Sequence, residues 1–206
     1  MSLSSRSWNS FSSEVAAEYL KSFGYPSQSS KQLLLDVMRS LVDKKIASVL
    51  DLGCGNGQLL EFFKEKKWTC NYFGIDFSQP LINVARRQNA EATFICGDVN
   101  NLGSIVTSKF NFVIYSHVLE ILESPERSLI EAKKLTDTIL IRFFEPPEFN
   151  IDTVELREQD LGQGSFPYIR RMMSKKYYQL ILTNIGCKGV DVYKDSTKDQ
   201  VHVLHF

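Results

Sequence analysis

The sequence of 206 residues lacks any apolar run near the roughly 18 residues that a membrane-spanning helix needs. Its first ten residues, MSLSSRSWNS, are polar and lack the apolar stretch of a secretory signal. Lys plus Arg and Asp plus Glu number 24 each, so no excess of positive charge indicates nucleic acid or an anionic membrane. These absences favour a cytoplasmic protein whose partner is neither a membrane nor a nucleic acid.

The cysteines form no C-x-x-C pair and no spacing typical of a metal site. They are Cys54, Cys70, Cys96 and Cys187. We therefore expect free thiols in a reducing compartment and no bound metal. The sequence has no internal repeats, and its length suits one hydrophobic core rather than two. We expect a single domain, and a monomer and a homodimer both stay open.

Helix and strand patterns alternate along the chain. Apolar residues at helical spacing predict helices over 13–23, 29–45, 57–67, 78–88, 124–135 and 174–186. Short apolar or β-branched runs predict strands over 46–52, 70–77, 92–98, 110–116, 138–144, 187–194 and 199–206. The stretch 145–168 is rich in Pro and Gly and predicts an irregular loop. The alternation predicts an α/β protein with a mostly parallel sheet, and the short last connection predicts one reversed strand.

Three glycines at alternate positions follow the first predicted strand, in VLDLGCGNGQLL (49–60). In doubly wound sheets, ligands bind at the carboxyl ends of the strands. Gly53, Gly55 and Gly57 there permit a tight turn, positive φ angles and close approach of a ligand to the backbone. Glycines also end strands for packing reasons, so this turn alone leaves a structural and a ligand-binding interpretation open.

Acidic residues stand at the ends of three successive predicted strands: Asp51, Asp76 and Asp98. Asp76 follows Gly57 by nineteen residues, a spacing at which a carboxylate accepts hydrogen bonds from both hydroxyls of an adenosine ribose. Asp98 is placed to accept from an adenine amino group. Carboxylates repel a pyrophosphate, and the spacing G-x-G-x-G differs from the dinucleotide pattern G-x-G-x-x-G. The acids therefore favour a ligand that carries cationic or hydrogen-bond donor groups.

Four segments, VLDLGCGNG, YFGIDFS, FICGDV and FNFVIYSHVLEIL, occur in this order. Together they resemble the motifs of class I S-adenosylmethionine-dependent methyltransferases, over residues 46–144 and with a fitting strand pair at the C-terminus. The resemblance implies a seven-stranded, mostly parallel, doubly wound (Rossmann-like) sheet of order 3-2-1-4-5-7-6. Strand seven would be antiparallel, with helices on both faces. The implied cofactor is S-adenosyl-L-methionine.

The resemblance also assigns roles to residues of these motifs. Asp51 would lie near the cofactor's ammonium group and Asp76 would bind its ribose. Cys54 is interpreted as an inert residue of the cofactor-binding turn rather than as a nucleophile. The remaining cofactor-binding residues would be Gly53 and Gly55 beneath the methionine part, Phe77 beside the adenine, Asp98 and Val99 at the adenine edge, and the Ser116 backbone.

Methyl transfer requires alignment of the acceptor, and a base only if the acceptor arrives protonated. The end of the fourth strand, YSH, is expected to face the methyl group, so Tyr115 and His117 are the catalytic candidates. A purely structural role for His117 stays open. Many small-molecule members have a histidine where this chain has Ile121. The candidate substrate-binding residues are Tyr25, Arg142, Glu145 and Tyr168.

We expect the single domain to have four parts: a helical cap (1–45), a cofactor-binding core (46–144), a substrate-side insert (145–173), and a final helix with an antiparallel strand pair (174–206). The cap and the modest insert resemble small-molecule members, and no N-P-P-Y tetrapeptide follows the fourth strand. The sequence thus predicts methyl transfer to a nitrogen or oxygen of a small molecule. A protein methyltransferase, a non-catalytic binder of the cofactor, and an enzyme using it for other chemistry stay open as alternatives.

Overall fold

The computed structural model describes residues 7–19, 28–42, 46–144, 152–160, 165–196 and 199–206. Its helices include α1 (Ser13–Glu18), α2 (Gln28–Leu41), α3 (Gln58–Glu65), α4 (Gln79–Gln88), α5 (Pro125–Ala132) and α6 (Lys175–Asn184). Its strands include β1 (Ala47–Leu52), β2 (Cys70–Asp76), β3 (Thr93–Cys96), β4 (Phe112–Ser116), β5 (Thr138–Phe144), β6 (Thr153–Asp160), β7 (Ser165–Met172), β8 (Gly189–Lys194) and β9 (Asp199–His205). No helix in these ranges is long and apolar enough to cross a membrane.

Seven strands form one sheet in the order β3-β2-β1-β4-β5-β9-β8. β1 pairs in parallel with β2 and β4, and β9 runs antiparallel to β5 and β8. This confirms the predicted sheet with one reversed strand. The predicted strands six and seven are β8 and β9, because a separate hairpin precedes them. The carboxyl ends of the parallel strands meet at one edge of the sheet, where the sequence predicts the ligand.

The predicted irregular loop over 145–168 is wrong over Thr153–Asp160 and from Ser165 onward, because β6 and β7 pair there as an antiparallel hairpin. Val154 and Leu156 alternate with charged residues, which is the period of a strand. These two side chains are 60% and 64% exposed. The run therefore lacks the apolar density by which a buried strand is recognised in a sequence.

Different helices cover the two faces of the sheet. α2 and α3 pack on one face through Leu34, Met38 and Phe63, among others. α5 and α6 pack on the opposite face through Leu129 and Ile181, among others. We name these the α2–α3 face and the α5–α6 face. Because successive side chains of a strand point to opposite faces, adjacent residues at a strand end belong to different environments.

Candidate active site

The glycine turn after β1 has a backbone that other residues adopt only with strain. Gly53, Gly55 and Gly57 have φ angles of 74°, 57° and 87°. A Cβ atom on Gly53 would also lie 2.3 Å from a methyl carbon of Val118. The turn is fixed to β2, because the Gly53 and Cys54 amides both donate to the Ile75 carbonyl, at 2.7 and 3.1 Å. Local sterics therefore hold the turn in one shape beside the ends of β1 and β2.

Asp76 ties this turn to the start of α4. Its Oδ2 accepts from the Gly55 amide at 3.0 Å, and its Oδ1 accepts from the Ser78 amide at 2.8 Å. Burial raises the pKa of Asp76 to about 6, although the two amides act in the opposite direction. A carboxylate oxygen accepts more than one hydrogen bond, so both oxygens retain capacity for ligand hydroxyls.

Asp51 is buried on the α2–α3 face, with 2% of its surface exposed. The Tyr72 hydroxyl donates to its Oδ2, while its Oδ1 has no hydrogen-bond partner within the described ranges. Burial raises the pKa of Asp51 to about 7, against the opposing effect of the Tyr72 hydrogen bond. A buried carboxylate oxygen without a donor is costly, and an ammonium group from a ligand would satisfy it.

The predicted adenine-side residues follow β2 and β3. Asp98 is exposed at the start of the 3-10 turn Val99–Ser104, and its Oδ1 accepts from the Asn100 amide at 2.8 Å. Val99 is buried beside it. Phe77 is partly buried and contacts Trp8 edge-on, with ring centroids 5.9 Å apart. Because β2 and β3 are parallel, Phe77 and Asp98, which follow them, lie at the same edge of the sheet as Asp76.

The N-terminal segment, residues 7–19, lies across this edge. The Asn56 side chain of the glycine turn donates to the Ala16 carbonyl at 3.2 Å, and Ser78 donates to the Trp8 carbonyl at 2.8 Å. The Trp8 indole donates to the Tyr19 hydroxyl and packs on Tyr168 of β7, with centroids 5.6 Å apart. The segment thus connects the cofactor-side turn to the hairpin, and Tyr168 lies at that junction. Tyr25 and Glu145 lie outside the described residues.

Tyr115 and Asp51 lie on opposite faces of the sheet. Tyr115 is fully buried on the α5–α6 face, with its hydroxyl 2.8 Å from the Ser128 hydroxyl of α5. Burial raises the pKa of Tyr115 far above its ordinary value. Because it has a satisfied hydroxyl and no exposure, its placement argues against the predicted catalytic role and favours a structural one.

His117 follows β4 with a φ of 56°, which is rare for a residue other than glycine. Its Nε2 lies 3.0 Å from Asp199 Oδ2, and its Nδ1 lies 3.4 Å from Glu120 Oε1. Burial alone would lower the pKa of His117, but hydrogen bonds to the two carboxylates outweigh it and raise that pKa. Two carboxylates thus favour an imidazolium at the end of β4. Sequence reasoning missed both Glu120 and Asp199.

Arg142 is 3% exposed near the end of β5. It pairs in register with Ser116, and its side chain lies on the same face as Asp51. Its Nε is 3.7 Å from Asp199 Oδ2, too long for a hydrogen bond. Burial lowers the pKa of Arg142, while Asp199 and Glu120 act in the opposite direction. The guanidinium therefore forms part of the same charged group as His117.

Lys31 of α2 is a further residue that sequence reasoning missed. Its Nζ donates to Gln58 Oε1 at 2.8 Å, and the residue is 9% exposed. Burial and the charge of Arg142 lower the pKa of Lys31 to about 8. A signal was present in the sequence, since Lys31 shares the helical spacing of the buried residues Leu34, Leu35 and Met38. A lysine on the apolar stripe of a helix indicates a buried charge with a role.

Comparisons with known proteins agree with this arrangement. A family model described as a methyltransferase domain matches residues 50–138. The mitochondrial ubiquinone biosynthesis O-methyltransferase of Saccharomyces cerevisiae is 33% identical over 85 residues, 40% of this chain. The match covers only 27% of that yeast protein.

Solved structures share the fold at low sequence identity. The complex of DhpI with S-adenosylhomocysteine superposes with a TM-score of 0.73 and 16% identity, covering 98% of this chain and 96% of that one. The structure of CalS10 with S-adenosylmethionine, an amino pentose methyltransferase from Micromonospora echinaspora, has a TM-score of 0.69 and 15% identity. It covers 95% of this chain and 98% of CalS10. At these identities the likeness establishes the fold.

Proposed function

We propose that the chain is a class I methyltransferase that uses S-adenosylmethionine as cofactor, and that it transfers the cofactor's methyl group to a nitrogen or oxygen of a small-molecule acceptor; the methyltransferase-domain match over residues 50–138 and the shared fold support this. The observation that carries the proposal is the pair of buried acids beside the glycine turn. Asp51 Oδ1 lacks a donor among the described residues, and Asp76 retains capacity for ligand hydroxyls. The ammonium group of an amino acid would pair with Asp51, and the hydroxyls of a ribose would donate to Asp76.

The residues present fit this cofactor, which supplies a methyl group already activated by a positively charged sulfur. In the proposed arrangement Asp51 holds the ammonium and Asp76 the ribose hydroxyls. The strained turn offers backbone without side chains in the way, and Cys54 within it points its thiol into the core. The other proposed cofactor contacts are Gly53, Gly55, Phe77, Asp98, Val99 and the Ser116 backbone.

The remaining work of the protein is to place an acceptor and keep water away. The N-terminal segment, through its buried Trp8, and Tyr168 form one wall. His117 and Arg142, at the ends of β4 and β5, form a second, charged wall. Because both His117 ring nitrogens face carboxylates, we assign His117 to orienting the acceptor. It becomes a proton acceptor only after the imidazolium loses a proton and one ring nitrogen leaves its carboxylate partner.

A small-molecule acceptor is supported by the names of the relatives, an amino pentose methyltransferase and a ubiquinone biosynthesis O-methyltransferase. The four-part division of the domain and the choice between monomer and homodimer stay predictions. A cytoplasmic location also stays a prediction, and the name of the yeast relative places that protein in mitochondria.

Incubation with S-adenosylmethionine carrying a labelled methyl group tests the proposal, using a panel of small amines and hydroxyl compounds. We expect label on at least one acceptor, and about 10- to 100-fold weaker cofactor binding for Asp76→Ala. Cofactor consumed without an acceptor would instead support other sulfonium chemistry. Tight binding without consumption would support a non-catalytic binder, and label on protein alone a protein methyltransferase.

A further inference from the structure

Arg142 is a buried cation with two unused hydrogen-bond donors. Its side chain is 4% exposed, and neither Nε nor Nη1 has a hydrogen-bond partner among the described residues. The nearby Asp199 Oδ2, at 3.7 Å from Nε, is too distant to accept from it. Buried guanidinium groups ordinarily have their N–H groups satisfied by oxygens. The two donors therefore indicate an acceptor group that the described residues do not supply.

None of the acidic side chains described around Arg142 accepts a hydrogen bond from its Nε or Nη1. Asp199 accepts from His117 and from Ser30, and Glu120 faces the other ring nitrogen of His117. The Asp51 carboxylate accepts from Tyr72 through Oδ2, and its Oδ1 has no hydrogen-bond partner among the described residues. These acids oppose the approach of an anion, but they leave the two donors of Arg142 unsatisfied.

Several charged side chains lie near Arg142. Lys31 and Arg142 are close enough for the arginine to contribute, after burial, to the lowered pKa of the lysine. His117 adds a third positive charge when protonated. Asp199, Glu120 and Asp195 act on Arg142 with the opposite charge, and Asp51, with a pKa of about 7, is partly ionised at neutral pH. These charges are close to balanced, so the case for a further acceptor at Arg142 rests on its unpaired Nε and Nη1.

The position of Arg142 separates it from the proposed cofactor contacts. It lies on β5, and β4 stands between it and Asp51 on β1. Adjacent strands are spaced by about 4.8 Å, so two spacings separate the backbones of β5 and β1 by roughly 10 Å, while the charges of Arg142 and Asp51 still act on each other. A ligand group bound at the end of β5 therefore lies on the β5 side of an ammonium held at Asp51.

From this geometry we infer that the methyl acceptor carries an anionic oxyacid group, a carboxylate or a phosphoryl group, and that Arg142 binds it. That the anionic group belongs to a methyl acceptor rests on the proposed methyl transfer, whereas the anion site itself does not depend on turnover. Charge-assisted hydrogen bonds to carboxylate and phosphate oxygens are what a guanidinium is suited to make.

Equilibrium binding to the full chain saturated with S-adenosylhomocysteine tests the site without turnover. The probes are pairs of an acid and a neutral counterpart: 4-hydroxybenzoate with 4-hydroxybenzamide, glycolate with glycolamide, and glycerol phosphate with glycerol. We expect at least one acid to bind at least tenfold more tightly than its counterpart. The carboxylate and phosphoryl pairs distinguish the two sources of the anion.

Substitutions of Arg142 test whether this residue causes the tighter binding of the acid. Arg142→Gln is expected to abolish it and Arg142→Lys to retain part of it, while Arg127→Gln, at an exposed position of α5, keeps it in full. Circular dichroism and the midpoint of thermal unfolding show that each variant is folded, and binding of S-adenosylhomocysteine is expected to stay within twofold of wild type.

Three results would overturn the inference: no preference for any acid, a preference that survives Arg142→Gln, or tenfold weaker S-adenosylhomocysteine binding in folded Arg142→Gln, which would place Arg142 at the cofactor. An acid preference without any labelled product would overturn the proposed methyl transfer and leave the anion site standing.

Discussion

His117 Nε2 lies 3.0 Å from Asp199 Oδ2, a hydrogen bond that joins the end of β4 to the first residue of β9. The two residues are 82 positions apart in the chain. Glu120 faces the second ring nitrogen, and Arg142 stands beside Asp199. The strand that reverses direction in the sheet thus contributes a carboxylate to the charged wall of the candidate site.

This contact predicts a pH-dependent loss of stability in Asp199→Asn. The pKa of His117 is raised in the folded protein, so its contribution is present below about 6.5, the unfolded value, and is lost as the pH rises through the folded pKa. The pKa of Asp199 is lowered, so its own contribution is lost only as the pH falls through that lowered value. We expect Asp199→Asn to be most destabilising at pH 5–6, by about 3–5 kcal/mol, and less so at pH 9.

Denaturant unfolding at both pH values measures this effect, and NMR titration of His117 checks its cause. The matched control is Asp191→Asn, which removes the partner of His205 in an exposed pair at 2.8 Å. That pair should contribute only about 0–1 kcal/mol. Equal losses at pH 5.5 and pH 9 for Asp199→Asn would show that His117 is not the titrating partner.

Asp51 predicts proton release on cofactor binding. Because its pKa is about 7 in the folded protein, it is largely protonated at pH 6, and a ligand ammonium favours the ionised form. We expect calorimetry at pH 6, in buffers of different ionisation enthalpy, to detect release that decreases toward pH 8. Asp51→Asn should reduce this release and weaken binding about 10- to 100-fold. Release that is identical in Asp51→Asn would assign the proton to Asp76, whose pKa is about 6.

The raised pKa of Asp51 also predicts that Asp51→Asn stabilises the free protein. The unfolded chain loses the Asp51 proton near pH 4 and the folded protein near pH 7, so the stability of the free protein falls across that interval. Asp51→Asn removes the buried charge and should therefore raise the free protein's midpoint of thermal unfolding at pH 8, by about 2–4 °C for each kcal/mol gained. A lower midpoint would mean that the ionised Asp51 is already stabilised by its surroundings.

Tyr115→Phe should affect stability rather than turnover. The substitution removes a buried hydrogen bond to Ser128 and should cost about 1 kcal/mol. Ser128→Ala and the double variant complete a cycle, in which the coupling isolates the shared hydrogen bond. Turnover at saturating cofactor should stay within twofold of wild type. A drop of about 100-fold, as expected for the loss of a general base, would return Tyr115 to the catalytic residues.

The alternation of helix and strand patterns predicts a mostly parallel sheet with one reversed strand, whereas the strand order 3-2-1-4-5-7-6 came from the family resemblance. The hairpin escaped prediction because Val154 and Leu156 are exposed and its strands lie among prolines and glycines. The helix predicted over 13–23 is described only over Ser13–Glu18, and residues 20–27 lie outside the described ranges.

Proximity to the glycine turn made the placement of Asp51 and Asp76 predictable. Tyr115 was a candidate because it belongs to YSH at the end of the fourth strand, but alternation along β4 sends the side chains of Tyr115 and Ser116 to opposite faces. Asp199 was not predictable in the same way. Its approach to His117 depends on β9 inserting beside β5, where Phe144 pairs with Asp199. Long-range pairing of this kind leaves no local signal in a single sequence.

Calorimetric binding of S-adenosylmethionine and of NAD to the purified protein tests the central claim most directly, with Asp76→Ala measured in parallel. The glycine turn and its buried acids predict binding of S-adenosylmethionine, no binding of NAD, and about 10- to 100-fold weaker binding of S-adenosylmethionine by Asp76→Ala. Tight binding of NAD with none of S-adenosylmethionine would contradict the account. An affinity of Asp76→Ala within twofold of wild type would contradict the placement of the ribose.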